Sequence, residues 1–232
     1  MIFSIDEGLF RLFPALKIGI LVCEIHNMKY GDDQLEEVLD DVGVHFSFER
    51  PQDHPHIKVW REAFRKLGIP ASKYQSSIES LLKRALKGGP FPRINPLVDL
   101  YNAVSLRHLV PIGGHALETI DGDISLCFAQ GNEIFIPMDL GESEIVDKGE
   151  VVYKDNKDIL TRRWVWRQSN KDKVANETTH IFIPIDVMGG LPEWLCENVV
   201  RDMEDKIIKN GYGQTIHKDI LTKDNILTEF NY

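Results

Sequence analysis

Hydrophobic and polar positions follow two different periods along this chain. After one strand-like run, residues 34–110 are dominated by helical spacing, whereas residues 121–186 are dominated by a period of two. The run LKIGILVCEI (residues 16–25) is rich in Ile, Val and Leu and reads as a buried strand. Asp32 and Asp33 supply N-cap and first-turn charge for the next helix, which has Leu35, Val38, Leu39 and Val42 as its apolar stripe. A further helix over residues 59–67 places Trp60, Phe64 and Leu67 on its core side and stops at Gly68 and Pro70. Ser76 or Ser77 starts another, from about residue 75 to residue 86, with Ile78, Leu81, Leu82 and Ala85 on one face and Gly88-Gly89-Pro90 at its end. The clearest helix opens at Asn95-Pro96. Proline suits a first helical position, where its missing N–H has no partner to lose. Leu97, Leu100, Tyr101 and Val104 then recur at helical spacing, and the helix ends before Pro111.

From Asp121 the alternation predicts strands at residues 124–129, 133–138, 150–155, 159–168 and 180–186. Gly122, Gly131-Asn132, Gly141, Gly149 and Asp155-Asn156 mark the turns between them. Short strands in succession pair antiparallel, so the expected fold class is α+β, helices followed by a β-rich layer, and not a doubly wound sheet. A continuous strand over residues 159–168 would put Arg162, Trp164, Trp166 and Gln168 on one face, and Arg163, Val165 and Arg167 on the other. Gly189-Gly190-Leu191-Pro192 breaks the chain, and Pro192 starts a helix running to about Lys209. Residues 191–232 are therefore expected as a C-terminal helix followed by an appendage, packed on the body or on a partner, outside a main domain of residues 1–190.

Composition narrows the class. The chain has 232 residues, 43% hydrophobic and 27% charged, which suits one large globular domain. No apolar run is long enough to cross a bilayer, and MIFSIDEGLF lacks the basic start and apolar core of a signal peptide. Cys23, Cys127 and Cys196 are scattered without a CxxC spacing and read as reduced thiols, so a cytoplasmic protein with no membrane partner is expected. The net charge of -9 argues against general nucleic-acid binding and against DNA. The charge is unevenly placed, however. Residues 58–107 carry ten basic against three acidic side chains, a local +7 that leaves -16 for the remainder. Lys73, Lys83, Arg84 and Lys87 in that segment are candidates for phosphate contacts, or else a solvated helix face.

Candidate chemistry gathers around the helix that opens at Asn95. Asp99, Asn102 and Arg107 form a polar stripe on it; Gly113-Gly114 follows as a turn that can leave backbone N–H groups open to a ligand; His115 comes next. The same polar groups also suit capping and cross-linking of a buried helix. Trp164 and Trp166 among Arg162, Arg163 and Arg167 suit stacking on a base and contacts to phosphate, or two core tryptophans beside a charged face. His54-Pro55-His56 does not set two ligands on one regular helix, and no third ligand sits at a recognisable spacing, so no metal is expected. A phosphate-binding loop, a dinucleotide fingerprint, a nucleophile elbow and a Ser-His-Asp arrangement are all lacking, and no cofactor is expected. Cys127 falls in a predicted strand and reads as core rather than nucleophile.

Several ordered motifs together resemble a known family. SIESLLKR, then INPLVDLYNAVSL, the Gly-Gly turn, ILTRRWVWRQ and Glu177-Thr178 look like the B3/B4 domain, the editing module of the bacterial phenylalanyl-tRNA synthetase beta subunit. More closely, the chain resembles free-standing proteins that carry this domain without the rest of the synthetase, over roughly residues 57–186 and more weakly over the N-terminal strand. The resemblance implies an antiparallel β-sandwich-like core flanked by helices, and a pocket that hydrolyses the ester of mischarged aminoacyl-tRNA in trans. Asn95 and Asp99 match the Asn and Asp of the synthetase motif, and His115-Ala116 its His-Ala pair. Gln168 or Asn170 stands where the synthetase uses the glutamate that reads a tyrosine hydroxyl, and Trp and Arg replace the glycines of that loop, so tyrosine selectivity is not implied. Class II aminoacylation motifs are missing, and ligase activity is not expected.

In such a reaction His115 is the candidate to orient a water or take its proton, with a tRNA ribose hydroxyl as an alternative activator. The N–H groups of Gly113 and Gly114 are candidate oxyanion donors, a role worth roughly 3 kcal/mol per well-placed donor in enzymes. Asn95, Asp99, Asn102, Trp164, Trp166 and Gln168 are candidates to bind the amino acid. Lys83, Arg84, Lys87, Arg163 and Arg167 are candidates to bind RNA. The expected partner is tRNA or aminoacyl-tRNA. The other reading is a non-catalytic module that binds RNA or a free amino acid through the same pocket.

Overall fold

A computed structural model describes residues 1–31, 34–138 and 141–232. The first half runs β1 (Ile2–Ile5), α1 (Glu7–Leu12), β2 (Lys17–Ile25), α2 (Gln34–His45), α3 (Pro55–Lys66), α4 (Ser77–Lys87) and α5 (Pro96–His108). Then come β3 (His115–Ala116), β4 (Ile124–Phe128), β5 (Ile134–Phe135), β6 (Glu144–Ile145), β7 (Val151–Lys154), β8 (Ile159–Arg162) and β9 (Arg167–Gln168). The chain finishes with β10 (His180–Val187), α6 (Leu195–Lys209), β11 (Gly213–Leu221) and β12 (Leu227–Glu229). This is a mixed α+β fold. One sheet has the order β12-β1-β4-β7-β8-β9, the other β11-β2-β10-β3, and β5-β6 forms a small ribbon. The pairings are antiparallel except β1 with β4, which is parallel.

The two larger sheets face each other across a shared core. Phe3 on β1 lies 5.0 Å from Phe182 on β10 and 6.0 Å from Tyr153 on β7, measured between ring centroids. Ile18, Ile20 and Val22 of β2 point into this core. Leu21, Cys23 and Ile25 of the same strand point the other way, into a second core with α5 and α6. A strand covered on both faces needs apolar residues at every covered position, which is why residues 18–23 read as an unbroken apolar run rather than an alternation, with Lys17 and Glu24 at the half-buried ends. Gly19 lets α6 approach: a Cβ there would lie 2.4 Å from Val200 Cγ2.

The helices at 34–45, 55–66, 77–87 and 96–108 fall where periodicity puts them, within a few residues. Ser76 caps α4 by accepting from the Glu79 N–H, and Asn95 caps α5 by accepting from the Val98 N–H. The expected cap at Asp32-Asp33 lies outside the described residues. Three expectations are corrected. First, residues 159–168 are not one strand. The chain turns through Arg163 and Trp164, at φ 46° and 63°, so that β9 folds back on β8 with Arg162 opposite Arg167. The common face expected for Arg162, Trp164, Trp166 and Gln168 therefore does not form. Burial of the Trp164 indole overrides the strand propensity of the run, and the turn is held by the Thr161 hydroxyl donating to the Trp164 main-chain carbonyl at 2.7 Å. Second, within residues 133–138 only Ile134–Phe135 is strand; beyond it Pro137 bridges to Ser169. Third, residues 212–232 are no appendage. β11 pairs along β2 and β12 pairs with β1, so the C-terminal segment completes both sheets.

Candidate functional site

The site is built where β3 meets the segment after β9. Gly114 leads into β3 through a gap that admits no side chain, since a Cβ there would lie 2.9 Å from both Ile181 Cδ1 and Tyr101 Cε1. Pairing of β3 with β10 sets His115 opposite Phe182 and buries it to 1% exposure. Its Nδ1 contacts the Asp172 carboxylate. Asp172 is itself wholly buried and held from several sides. Its Oδ1 accepts from the Ser169 hydroxyl at 2.8 Å, and its Oδ2 from Gln168 Nε2 at 3.0 Å. Its carbonyl accepts from the Ala116 N–H at 3.0 Å. Gln168 Nε2 also donates to the Gly114 carbonyl at 2.7 Å. Two segments that carry no regular hydrogen-bond ladder between them are thus stitched by one amide, one imidazole and one carboxylate, and the carboxylate fixes the imidazole's orientation.

A second buried carboxylate lies beneath. Asp186 Oδ1 accepts from the Tyr153 hydroxyl at 2.9 Å and the Trp164 indole N–H at 2.8 Å. Burial pushes the Asp186 carboxyl up to about 6, against the opposing pull of these two donors and of His115. Burial, and then the neighbouring Asp186, push the Tyr153 hydroxyl well above its ordinary range. The His115 ring sits 5.8 Å from that of Tyr153 and 5.9 Å from that of Phe182.

The residues singled out in the sequence divide between this cluster and three other places. Gly113, Gly114, His115 and Gln168 come together. Gly113 and Gln168 are the partly exposed members, but the Gly113 N–H is directed to the Pro184 carbonyl at 3.3 Å, which corrects the expectation of a free oxyanion donor there. Asn95 is engaged as a helix cap and also donates to the Val174 carbonyl at 3.0 Å. Asp99 accepts from Arg93 Nε at 2.7 Å and the Tyr30 hydroxyl at 3.1 Å. Asn102 is half-buried on α5. Tyr101 links that end of α5 to the cluster: burial, then Asp172 and Asp99, raise its hydroxyl pKa.

The tryptophans part company. Trp164 is 0% exposed and packs edge-on against Trp60, whereas Trp166 lies against Tyr74 at 4.7 Å. Arg163, expected at phosphate, is buried. Its guanidinium lies 3.9 Å from the Tyr74 ring centroid and 3.3 Å from Asp147, so it is already neutralised. Arg167 pairs with Glu144 at 2.9 Å and Lys83 with Glu79 at 2.7 Å. Arg84 and Lys87 are exposed at the end of α4. The sequence reading missed Ser169, Asp172, Tyr153 and Asp186. The Ser169-x-x-Asp172 spacing carried a usable signal, since a serine and an aspartate three apart commonly close a polar turn.

Fold and site define a mixed α+β domain with a buried His–Asp pair set beneath a glycine turn. The chain belongs to the B3/4 domain family, whose model matches residues 59–191. It is 29% identical over 113 residues to the phenylalanine–tRNA ligase beta subunit of Fusobacterium nucleatum, covering 49% of this chain and 14% of that protein. A crystal structure of an N-terminal fragment of the phenylalanyl-tRNA synthetase beta subunit from Pyrococcus horikoshii matches 92% of this chain and 49% of its own, with 14% identity and a TM-score of 0.46. The chain thus spans about one seventh of the ligase subunit it resembles. Among the described residues, no helix is long and apolar enough to cross a membrane.

Proposed function

We propose that the protein hydrolyses the ester of mischarged aminoacyl-tRNA in trans, acting in the cytoplasm. The observation that supports this reading is the orientation of His115. Asp172 holds Nδ1, while Nε2 lies on the side of Gly113: a Cβ built there would stand 3.8 Å from Nε2. Gly113, beside Nε2, is partly exposed. An imidazole with one nitrogen fixed by a carboxylate and the other toward the substrate side can orient a water and take its proton. Gln168, bridging Gly114 and Asp172, holds the two walls at a fixed spacing. Arg84 and Lys87 supply exposed positive charge for the tRNA backbone.

The second reading is a non-catalytic module that binds RNA or an amino acid. It is favoured by the near-complete burial of His115 and by Trp164 lying in the core rather than lining an opening. Incubation of the purified protein with a panel of correctly and incorrectly charged tRNAs separates the two. Selective deacylation that His115→Ala and Asp172→Asn both slow is the expected result. No deacylation by folded protein over the whole panel overturns it, and salt-dependent binding of the same tRNAs would then establish the binding module.

A further inference from the structure

Among the described residues, Asp121, Asp155 and Asp158 present carboxylate oxygens all within 4.8 Å of one another. Three carboxylates this close repel one another, and the chain places a cation of its own among them. Lys171 Nζ lies 2.8 Å from Asp121, 2.6 Å from Asp155 and 2.6 Å from Asp158. The cage is preformed by backbone donors: Asp155 accepts from the N–H groups of Asp121 at 2.9 Å, Lys157 at 2.8 Å and Asp158 at 2.7 Å. It therefore belongs to the rigid turn between β7 and β8 and the entry to β4.

Lys171 is also the residue before Asp172. Its N–H donates to the Ser169 hydroxyl at 2.9 Å, and that hydroxyl donates onward to Asp172 at 2.8 Å. The segment that aims Asp172 at His115 is thus pinned at the end of a long side chain and at its own backbone. We infer that Lys171 is a positioning residue: a tethered ammonium in a carboxylate cage that holds the Ser169–Asp172 turn, and through it orients His115. Its consequence for rate rests on the proposed hydrolysis; its consequence for geometry does not. Without the ammonium the three carboxylates repel one another, Lys157 at 2.5 Å from Asp121 compensates only one of them, and the turn loses its anchor.

The test uses Lys171→Ala, which leaves a hole that a small cation can fill. Methylammonium matches the lost group, and Ca²⁺ matches a cluster of hard oxygen ligands. The readout is the downfield proton resonance of the His115 Nδ1–H, assigned by its loss in His115→Ala. The expected result is that the resonance disappears in Lys171→Ala, returns with millimolar methylammonium or Ca²⁺ but not with NaCl at equal ionic strength, and persists in Lys157→Ala. Deacylation in the same samples should fall on the order of 10²-fold and return with the resonance, the penalty typical of a reacting group displaced by about 1 Å. A resonance that survives in Lys171→Ala overturns the inference, as does one that is lost and restored by neither cation. If Lys171→Ala does not fold, Lys171→Gln takes its place, with loss of the resonance expected and its retention decisive against the inference. A wild type that shows the resonance but no deacylation would overturn the proposed hydrolysis and leave the positioning role to be judged on the resonance.

Discussion

Asp186 makes the fold's stability depend on pH in a direction opposite to that of a salt-bridged aspartate. Its carboxylate is buried and its two donors, Tyr153 and Trp164, carry no charge. Burial places its pKa at about 6 in the folded protein, against 3.8 as the ordinary value. Folding therefore favours the protonated form. Below pH 4 the group is protonated in both states and costs nothing. Between about pH 4 and 6 the unfolded chain has released a proton that the folded chain still holds, so stability falls as pH rises. Above pH 6 both states are ionised and the full cost is present. A shift of two units or so corresponds to about 3 kcal/mol, and roughly half of it develops between pH 5 and 8. Asp186→Asn removes the titration while keeping an oxygen to accept from Tyr153 and Trp164. Urea unfolding of wild type and Asp186→Asn at closely spaced pH values should show the variant gaining on the wild type from pH 5 to 8, at unchanged m value. Parallel profiles for the two proteins would refute the reasoning, because they would mean that Asp186 ionises in the core without penalty.

Four further outcomes follow from the packing. Glu150 receives both Arg162 Nε at 3.0 Å and Arg162 Nη2 at 2.8 Å, so Glu150→Ala should leave a buried guanidinium short of its partner and cost about 3–5 kcal/mol in chemical denaturation. Asp147→Ala, at a side chain 77% exposed, should cost about 1 kcal/mol or less in the same assay. Gly114→Ala would press on Ile181 and Tyr101 and should lower stability by about 1–3 kcal/mol, whereas Gly113→Ala meets nothing closer than 3.8 Å and should melt near wild type. Asn95→Ala removes the α5 cap and the donor to Val174; a loss of about 2 kcal/mol or more in urea unfolding is expected, and a neutral result would show that α5 needs no cap.

Helices were legible because each buries one stripe and ends on a local signal. Trp60 and Phe64 define α3, Ser76 starts α4 and Gly88 stops it, and Asn95-Pro96 opens α5. The strands that escaped notice are those whose register is set from far away. β11 lies on the edge of its sheet, beside β2; its positions alternate between half-buried and exposed, but Thr215, His217 and Asp219 take half-buried places and Ile216 an exposed one, so its hydrophobicity shows no period of two. β1 is four residues long, too short for periodicity to show, yet Phe3 in it lies in the shared core of the two sheets. The RRWVW run illustrates the opposite error. Its composition is that of a strand, but the energy gained by sinking Trp164 between Phe13 and Trp60 reverses the chain at two residues with positive φ.

The candidate site was half legible for a related physical reason. His115 and the glycine turn announce themselves as residue types, and Gln168 through its resemblance to a family position. Asp172 and Lys171 do not, because two charged residues in a polar loop are ordinary until the fold shows where they end. Only the structure brings Lys171 to three carboxylates from two other turns and Asp172 to an imidazole 57 positions away in sequence. That pairing also shifts the weight of the functional argument. A histidine on a glycine turn is a weak indication of chemistry by itself. A histidine whose orientation is enforced by a buried carboxylate, itself held by a serine and a glutamine, is an arrangement that costs desolvation energy to build. A purely apolar filling of the same space would hold β3 to the segment after β9 at less expense, and that difference is the physical ground on which the proposed reaction, or a polar ligand, rests.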